Sequence, residues 1–178
     1  LTQQLSWQAS HDFLTKLVNR ARFEQLIQEA LNSAKNMNLE HTLCYLDLDQ
    51  FKVINDSCGH IAGDNLLKQI SNLLQKRIRS TDTIARLGGD EFGLLLHNCP
   101  LQEARKIVKI LQNLVHDFKF SWHQQSFKIG VSIGVVTINS ESLNVTDLMS
   151  RADSACYAAK NRGRNCIYIY HKDDQELA

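Results

Sequence analysis

Two short acidic segments are the places where this chain could carry out chemistry. The first is Asp47-Leu48-Asp49, which ends an apolar run typical of a buried strand. Side chains alternate along a strand, so both acids lie on one side of the sheet if the strand extends to Asp49. An unpaired buried carboxylate is costly, so acids in this position indicate a function. The alternative is that the strand ends at Leu46 and both acids cap the next helix.

The second acidic segment is Gly88-Gly89-Asp90-Glu91, which joins two apolar, strand-like runs over 83–87 and 91–97. A glycine pair between such runs predicts a tight hairpin, because these turns need positive φ angles. If the hairpin lies beside the first acidic strand, Asp47 and Asp90 converge, and converging carboxylates repel unless a cation lies between them. Oxygen ligands without a His or Cys cluster indicate Mg²⁺, with Mn²⁺ as the alternative, rather than zinc. The other interpretation is an ordinary hairpin with solvated acids.

Helical and strand-like patterns alternate around these segments, and two hairpins interrupt the alternation. The predicted helices span 19 to at least 34, 51–57, 61–79, 100–117 and 147–162, and the predicted strands span 41–47, 83–87, 91–97, 118–122, 127–139 and 166–170. This order predicts an α/β fold with a mixed, partly antiparallel central sheet surrounded by helices. Residues 1–10 are predicted to end a linker helix, 11–172 to form one domain and 173–178 to form a polar tail.

Composition narrows the classes of partner. The chain has 178 residues and a formal net charge of +1, which argues against bulk electrostatic binding to nucleic acid or an anionic membrane. Five scattered cysteines without a C-x-x-C pair predict free thiols in a reducing compartment, and no apolar run is long enough to span a bilayer. We therefore expect a cytoplasmic domain. The chain does not begin with Met, which predicts a piece of a longer protein and leaves membrane anchoring of that parent open.

Four motifs in this order resemble those of the GGDEF-domain family of diguanylate cyclases. Gly88-Gly89-Asp90-Glu91-Phe92 matches the signature of the family, and residues 12–20 match its opening motif, Asp-x-Leu-Thr-x-Leu-x-Asn-Arg. Residues 47–64 match its nucleotide-binding block, and residues 152–165 match its closing motif. The resemblance covers about residues 10–170. It implies a sheet like that of nucleotidyl cyclases and polymerase palms, and the condensation of two GTP into cyclic di-GMP and pyrophosphate.

The resemblance also implies roles for individual residues. Asp47, the Leu48 carbonyl and Asp90 are expected to hold the metal ion, and Asp90 and Glu91 to be catalytic. The residues expected to bind GTP are Lys52, Asn55, His60, Asp64, Gly88, Gly89, Lys160 and Arg164. Asn55 and Asp64 would recognise guanine, because an ionised Asp64 accepts the N1 and N2 hydrogens that guanine offers and adenine does not. Lys52, Lys160 and Arg164 would contact the phosphates.

Arg79 and Asp82 resemble the family's inhibitory product site, for which cyclic di-GMP is the ligand. The competing interpretation is a salt bridge that closes the end of a helix.

Three functions remain open from the sequence: an active cyclase working as a transient homodimer of half-sites, a silent module that binds GTP or cyclic di-GMP, and a cyclase with another product. The intact signature glycines and acids favour the first. No nucleic acid and no direct membrane contact are expected. The parent is expected to carry a sensor, and the residues around 120–122 and 171–174 resemble cyclase domains that precede a phosphodiesterase domain.

Overall fold

A central sheet of five strands organises the chain in a computed structural model, which describes residues 2–172. Leu1 and the predicted polar tail at 173–178 lie outside the described residues. The strands are β1 (His41–Asp49), β2 (Thr83–Gly88), β3 (Glu91–Leu96), β4 (Lys119–Trp122), β5 (Gln125–Lys128), β6 (Gly130–Ile138) and β7 (Ile167–Ile169). The helices are α1 (Thr2–Ser10), α2 (Arg20–Met37), α3 (Phe51–Cys58), α4 (His60–Gln75), α5 (Leu101–Asp117) and α6 (Val145–Asn161).

The sheet has the order β2-β3-β1-β6-β7, with β1 in the middle. β1 runs antiparallel to both β3 and β6, whereas β7 runs parallel to β6. The prediction of a mixed, partly antiparallel sheet surrounded by helices is therefore confirmed. All residues of β1 through Asp49 are buried, so the alternative in which the strand ends at Leu46 is wrong.

Helices cover the sheet on both faces, which explains why β1 has no exposed side. Cys44, Leu46 and Leu48 pack in the core on the side of α4 and α5. Leu43 and Tyr45 pack in the core on the side of α2 and α6. Alternation along the strand places Asp47 on the same face as Tyr45, toward α2 and α6.

One predicted helix is shorter than its pattern. The helical pattern over 61–79 becomes α4, which ends at Gln75. A turn replaces the last predicted residues, because the Asp82 N–H donates to the Arg79 carbonyl at 3.0 Å and the Asp82 carboxylate accepts from the Arg79 N–H at 3.3 Å. Ile78 still packs against the core, which maintains the helical spacing of apolar residues beyond the end of the helix.

The strand predicted over 127–139 is two strands. β5 pairs with β4 in a separate two-stranded sheet, and β6 belongs to the central sheet. The β4–β5 hairpin turns at His123 and Gln124, whose φ angles are 47° and 67°, so the predicted hairpin itself is confirmed. Phe127, Ile129 and Val131 keep a period of two across the break, so the hydrophobic pattern does not reveal it.

α1 stands apart from the core, because none of its residues is buried. It is joined to the domain by hydrogen bonds to Asn19, which donates its N–H to the Ser10 carbonyl at 2.9 Å and its side-chain amide to the Ala9 carbonyl at 3.0 Å. Asn19 also caps α2 by accepting from the Arg22 N–H at 2.9 Å. Among the helices of residues 2–172, none combines the length and apolar character needed to cross a membrane.

Candidate active site

The hairpin between β2 and β3 carries Asp90 to the end of β1. In the β1–β3 register Asp47 lies opposite Glu91, and the Leu48 N–H donates to the Asp90 carbonyl at 3.1 Å. The turn depends on its glycines, since Gly88 and Gly89 have φ angles of 153° and 49°. The fold thus brings together Asp47 and Asp90, which are 43 residues apart in sequence.

A cavity of about 450 Å³ opens at this point. Six of the residues expected to bind metal or nucleotide line it: Asp47, Leu48, Lys52, Asp90, Lys160 and Arg164. The remaining lining residues are Asp49, Gln50, Phe51 and Val53. The strand end, the start of α3, the glycine turn and the end of α6 therefore surround one space in which carboxylates and cations lie together.

Burial and charge shift the titration of the two acids. Asp47 is 7% exposed, and burial raises its pKa to about 6, with the neighbouring charge of Asp90 acting in the same direction. The Lys160 ammonium contacts the Asp47 carboxylate and opposes this rise. Burial also raises the pKa of Asp90. For Lys160 burial lowers the pKa, but the hydrogen bond to Asp47 and the negative charges of Asp47 and Asp90 together outweigh burial, and the pKa is raised.

The two carboxylates and the backbone carbonyl at this cavity are suitable ligands for a magnesium ion. Among residues 2–172 no group of three or more His, Cys, Asp or Glu side chains is arranged to hold a metal ion. The protein ligands at the cavity would be two carboxylates and a backbone carbonyl. Mg²⁺ is typically bound in proteins by one or two carboxylates, with substrate phosphates and water completing its octahedron. A cation between Asp47 and Asp90 would also relieve the repulsion that contributes to the raised pKa of Asp47.

Glu91 borders the cavity but is engaged elsewhere. Its carboxylate accepts a hydrogen bond of 2.6 Å from the Tyr45 hydroxyl. Burial, followed by this contact, raises the pKa of Tyr45. Glu91 is not among the residues that line the cavity, so the structure places it beside Asp90 rather than on the open surface of the site.

The residues expected to recognise guanine lie on the helix pair α3 and α4. Asn55 is half-buried, and within the described part of the chain its Oδ1 is the one buried side-chain polar atom without a hydrogen-bond partner. Gly63 makes room for it, since a Cβ at this position would overlap Oδ1. His60 and Asp64 are exposed on the first turns of α4. An unpaired carbonyl oxygen is the acceptor that an amino group of a base would need.

Arg79 and Asp82 lie at the end of the β2–β3 hairpin opposite its glycine turn. The length of β2 separates them from that turn, about 17 Å by the rise of an extended strand. The guanidinium donates to both Asp82 oxygens at 3.0 Å and to the His97 carbonyl at 2.8 Å. The Asp82 hydrogen bond, offset by a small burial, raises the pKa of Arg79. The Asp82 side chain is 1% exposed, whereas that of Arg79 is 50% exposed. The pair therefore closes a turn and still presents one face of a guanidinium to solvent.

A connection between the start of the domain and the glycine turn was not predicted. Arg86 donates from Nε to the Gly89 carbonyl at 3.0 Å and from Nη1 to the Asp12 carboxylate at 3.2 Å. The Arg86 N–H also donates to the Val18 carbonyl at 2.9 Å. Asp12 belongs to the opening motif, and Arg86 lies two positions before the first residue of the signature, so proximity to these motifs was the signal in the sequence.

The comparisons with known proteins agree with this geometry. A family model described as "Diguanylate cyclase, GGDEF domain" matches residues 9–166. The probable diguanylate cyclase DgcE of Escherichia coli (strain K12) is 44% identical over 170 residues, covering 96% of this chain and 15% of that protein. The cyclic di-GMP phosphodiesterase PdeB of Shewanella oneidensis is 38% identical over 180 residues, covering 99% of this chain and 20% of that protein.

A solved structure is similar as well. The coiled coil and GGDEF domain of DgcB from Caulobacter crescentus, in complex with c-di-GMP, has a TM-score of 0.88 and 26% sequence identity, covering 94% of this chain and 89% of that one.

A mixed sheet whose central strand and adjoining hairpin each deliver an acid to one cavity defines the palm-like class of nucleotidyl cyclases. Within that class, the family model and the relatives are specific. The chain belongs to the GGDEF-domain family of diguanylate cyclases. It spans only 15% and 20% of the lengths of the two relatives described above.

Proposed function

We propose that this domain condenses two GTP molecules into cyclic di-GMP. The observation that carries the proposal is the convergence of Asp47 and Asp90 with Lys160 and Arg164 around one cavity. Acids for a metal ion and cations for phosphates are the two requirements of phosphoryl transfer, which depends mainly on positioning and charge neutralisation. The family membership and the similarity to the probable diguanylate cyclase DgcE support the same activity.

The reaction forms two equivalent links. In each, the 3′-oxygen of one GTP bonds to the α-phosphorus of the other, and the bond from that phosphorus to the oxygen shared with the β-phosphate breaks, so one pyrophosphate leaves per link. Asp90 accepts the proton that the 3′-hydroxyl loses, with Glu91 as the neighbouring acid. A bound Mg²⁺, held by Asp47, the Leu48 carbonyl and Asp90, would neutralise the developing negative charge.

The cations and the base-recognising residues bind and orient the nucleotide. Lys52, Lys160 and Arg164 contact the phosphates, with Lys160 moving from the Asp47 carboxylate to a phosphate oxygen. Asn55 and Asp64 recognise guanine, which supplies the hydrogen-bond donor that the Asn55 oxygen lacks. His60 borders the base, and Gly88 and Gly89 allow the phosphates to approach the backbone.

The partners follow from the reaction. Each domain offers one pair of base-recognising residues and one pair of converging acids, so we infer that two copies of the domain face each other during catalysis. GTP is a cytoplasmic nucleotide, so we place the domain in the cytoplasm, next to sensor and phosphodiesterase domains of its parent.

The test is incubation of the chain with GTP and Mg²⁺, followed by chromatography of the products. Cyclic di-GMP and pyrophosphate should appear with GTP and not with ATP. Asp90→Asn should reduce turnover by at least about 1,000-fold, because it removes a metal ligand and the proton acceptor. The variant should keep its thermal melt. Wild-type turnover in Asp90→Asn would overturn the assignment.

The second candidate is a silent module that binds GTP or cyclic di-GMP. It is favoured by one observation, the similarity to a protein named as a phosphodiesterase, PdeB. Calorimetry of GTP binding, combined with chromatography of the products, distinguishes the two functions. The silent module would bind GTP and form no product at any enzyme concentration.

We also propose that Arg79 and Asp82 bind cyclic di-GMP as an inhibitor, because the half-exposed guanidinium can hold a phosphate. Wild-type progress curves should slow as product accumulates, whereas Arg79→Ala should start at a similar rate and stay linear. Identical curves would show that the pair is only a salt bridge.

A further inference from the structure

Asp49 is the second acid of the strand-end segment, and its surroundings differ from those of Asp47. It is 5% exposed and lies at the last position of β1. Its Oδ1 accepts from the Ser132 hydroxyl of β6 at 2.8 Å, and its Oδ2 accepts from the backbone N–H of Asn165 at 2.8 Å. Both oxygens are thus engaged by protein donors, and neither bond involves the hairpin that carries Asp90.

The segment that Asp49 contacts is conformationally demanding. Gly163, Arg164 and Asn165 have φ angles of 110°, 63° and 46°, so three consecutive residues lie in the left-handed region. Arg rarely adopts this conformation, and the surrounding structure must hold it there. The Asn165 carbonyl accepts from Gln112 of α5 at 2.6 Å, and the Arg164 N–H donates to the Ala159 carbonyl at 3.2 Å.

The sheet leaves room for this contact. Gly130 lies opposite Asp49 in the β1–β6 register. A Cβ at Gly130 would stand 3.0 Å from the Asp49 Oδ2 and 3.1 Å from the Asn165 Cβ. The approach of Asp49 to Asn165 therefore depends on a glycine at the start of β6, which makes the contact a feature of three separate elements.

We propose that Asp49 is a positioning residue that fixes Arg164 at the phosphate side of the cavity, acting through the backbone of Asn165. Arg164 lines the cavity, and Asn165 is the next residue along the chain. The inference rests on the proposed function in assigning Arg164 to phosphate binding. It excludes Asp49 from the metal ligands, although sequence spacing places it on the same side of the strand as Asp47.

Two substitutions of Asp49 distinguish a positioning role of this residue from binding of the metal ion. Asp49→Asn keeps an oxygen that accepts from the Asn165 N–H, and its amide group can donate to the Ser132 hydroxyl. Asp49→Ala removes both bonds. Mn²⁺ affinity without nucleotide should be unchanged in Asp49→Asn, whereas Asp47→Asn should lower it by about 10-fold or more. An equal loss in Asp49→Asn would make Asp49 a metal ligand and overturn the proposal.

Nucleotide affinity supplies the second measurement, with a GTP analogue that has a methylene group between the α- and β-phosphates. Asp49→Ala and Arg164→Ala should each weaken binding by about 10-fold, and the double variant should be no weaker than either, because both changes remove the same contact. Asp49→Asn should bind like wild type. Losses that multiply in the double variant would show that Asp49 does not act through Arg164.

Hydrogen exchange at the Asn165 amide tests the contact without nucleotide. Exchange should accelerate in Asp49→Ala and stay slow in Asp49→Asn. If Asp49→Ala does not fold, Gln112→Ala is the substitute, because it removes the hydrogen bond between Gln112 and the Asn165 carbonyl from outside the cavity. It should weaken binding of the analogue in the chain that has Arg164 and have no effect in Arg164→Ala. A wild-type protein that fails to bind the analogue would refute the proposed function. Faster exchange of the Asn165 amide in Asp49→Ala would still support the contact between Asp49 and Asn165. Wild-type binding with no effect of Asp49→Ala would refute the inference alone.

Discussion

Asp47 is a buried carboxyl whose ionisation carries an electrostatic cost. The carboxyl is buried beside Asp90, and the contact with Lys160 does not cancel the cost of ionisation, so the pKa stays near 6. Its folded pKa therefore lies above the unfolded value of 3.8. The folded chain binds more protons than the unfolded chain between these two values. The resulting stabilisation is fully present below pH 3.8 and is lost as the pH rises through 6.

This titration predicts a pH-dependent effect of Asp47→Asn on stability. In the presence of a chelator, the variant should gain free energy of unfolding over wild type, from near zero at pH 4 to about 1–3 kcal/mol at pH 7. Denaturant unfolding at both pH values measures the difference. Added Mg²⁺ should stabilise wild type more than the variant. Asp56→Asn, at an exposed position of α3, is the control. A gain that is the same at pH 4 and pH 7 would contradict the assigned cause.

At the scale of single residues, the sequence predicted the positions of the acids better than their hydrogen-bond partners. The convergence of Asp47 and Asp90 followed from two local patterns and one assumption about strand order. The role of Asp49 could not follow from any local pattern, because its two hydrogen-bond partners are 83 and 116 residues away in sequence. The engagement of Glu91 by Tyr45 likewise depends on the register between two strands.

At the scale of elements, Arg86 links the start of the domain to the glycine turn. Its side chain bridges the Asp12 carboxylate and the Gly89 carbonyl. Burial would raise the pKa of Asp12, but hydrogen bonds from Thr15 and the charge of Arg86 together lower it. Asn19 fastens the end of α1 to the same region. Hydrogen bonds and residues adjacent in the chain therefore connect the end of α1 with Gly89, the residue that precedes Asp90.

Arg86→Ala should therefore impair turnover more than binding. We expect kcat to fall about 10- to 100-fold because the turn that carries Asp90 loses its anchor, with the affinity for GTP changed less than about 3-fold. Steady-state kinetics and calorimetry measure the two quantities. Arg22→Ala, at a position of α2 where Arg22 donates to Gln25, is the matched control. Equal losses in kcat and GTP affinity would argue for general loosening of the fold.

Element existence was predictable, and element boundaries were not. The central helices and strands follow hydrophobic periods that are clear in sequence. The end of α4 and the break between β5 and β6 are decided by contacts of Asp82 and by pairing with β4, while the apolar pattern continues unchanged. A local side-chain hydrogen bond therefore ends the first pattern early, and pairing with a neighbouring strand divides the second.

At the scale of the whole molecule, the proposed pairing of two copies makes activity depend on concentration. One domain has one set of converging acids and one pair of base-recognising residues, so a lone domain cannot complete both links. Specific activity should rise with enzyme concentration and level off where light scattering detects dimers. A flat profile down to concentrations at which only monomers scatter would contradict this mechanism.

The two edges of the sheet bear on how such copies can meet. Beyond β2 the edge is occupied by Val18, whose carbonyl accepts from the Arg86 N–H and which bridges Ala85, and β7 at the other edge has three residues. Short or covered edges offer few free backbone groups, so sheets of neighbouring molecules cannot readily extend one another. High local concentrations of this domain therefore carry little risk of strand-to-strand aggregation, and an encounter between copies remains reversible.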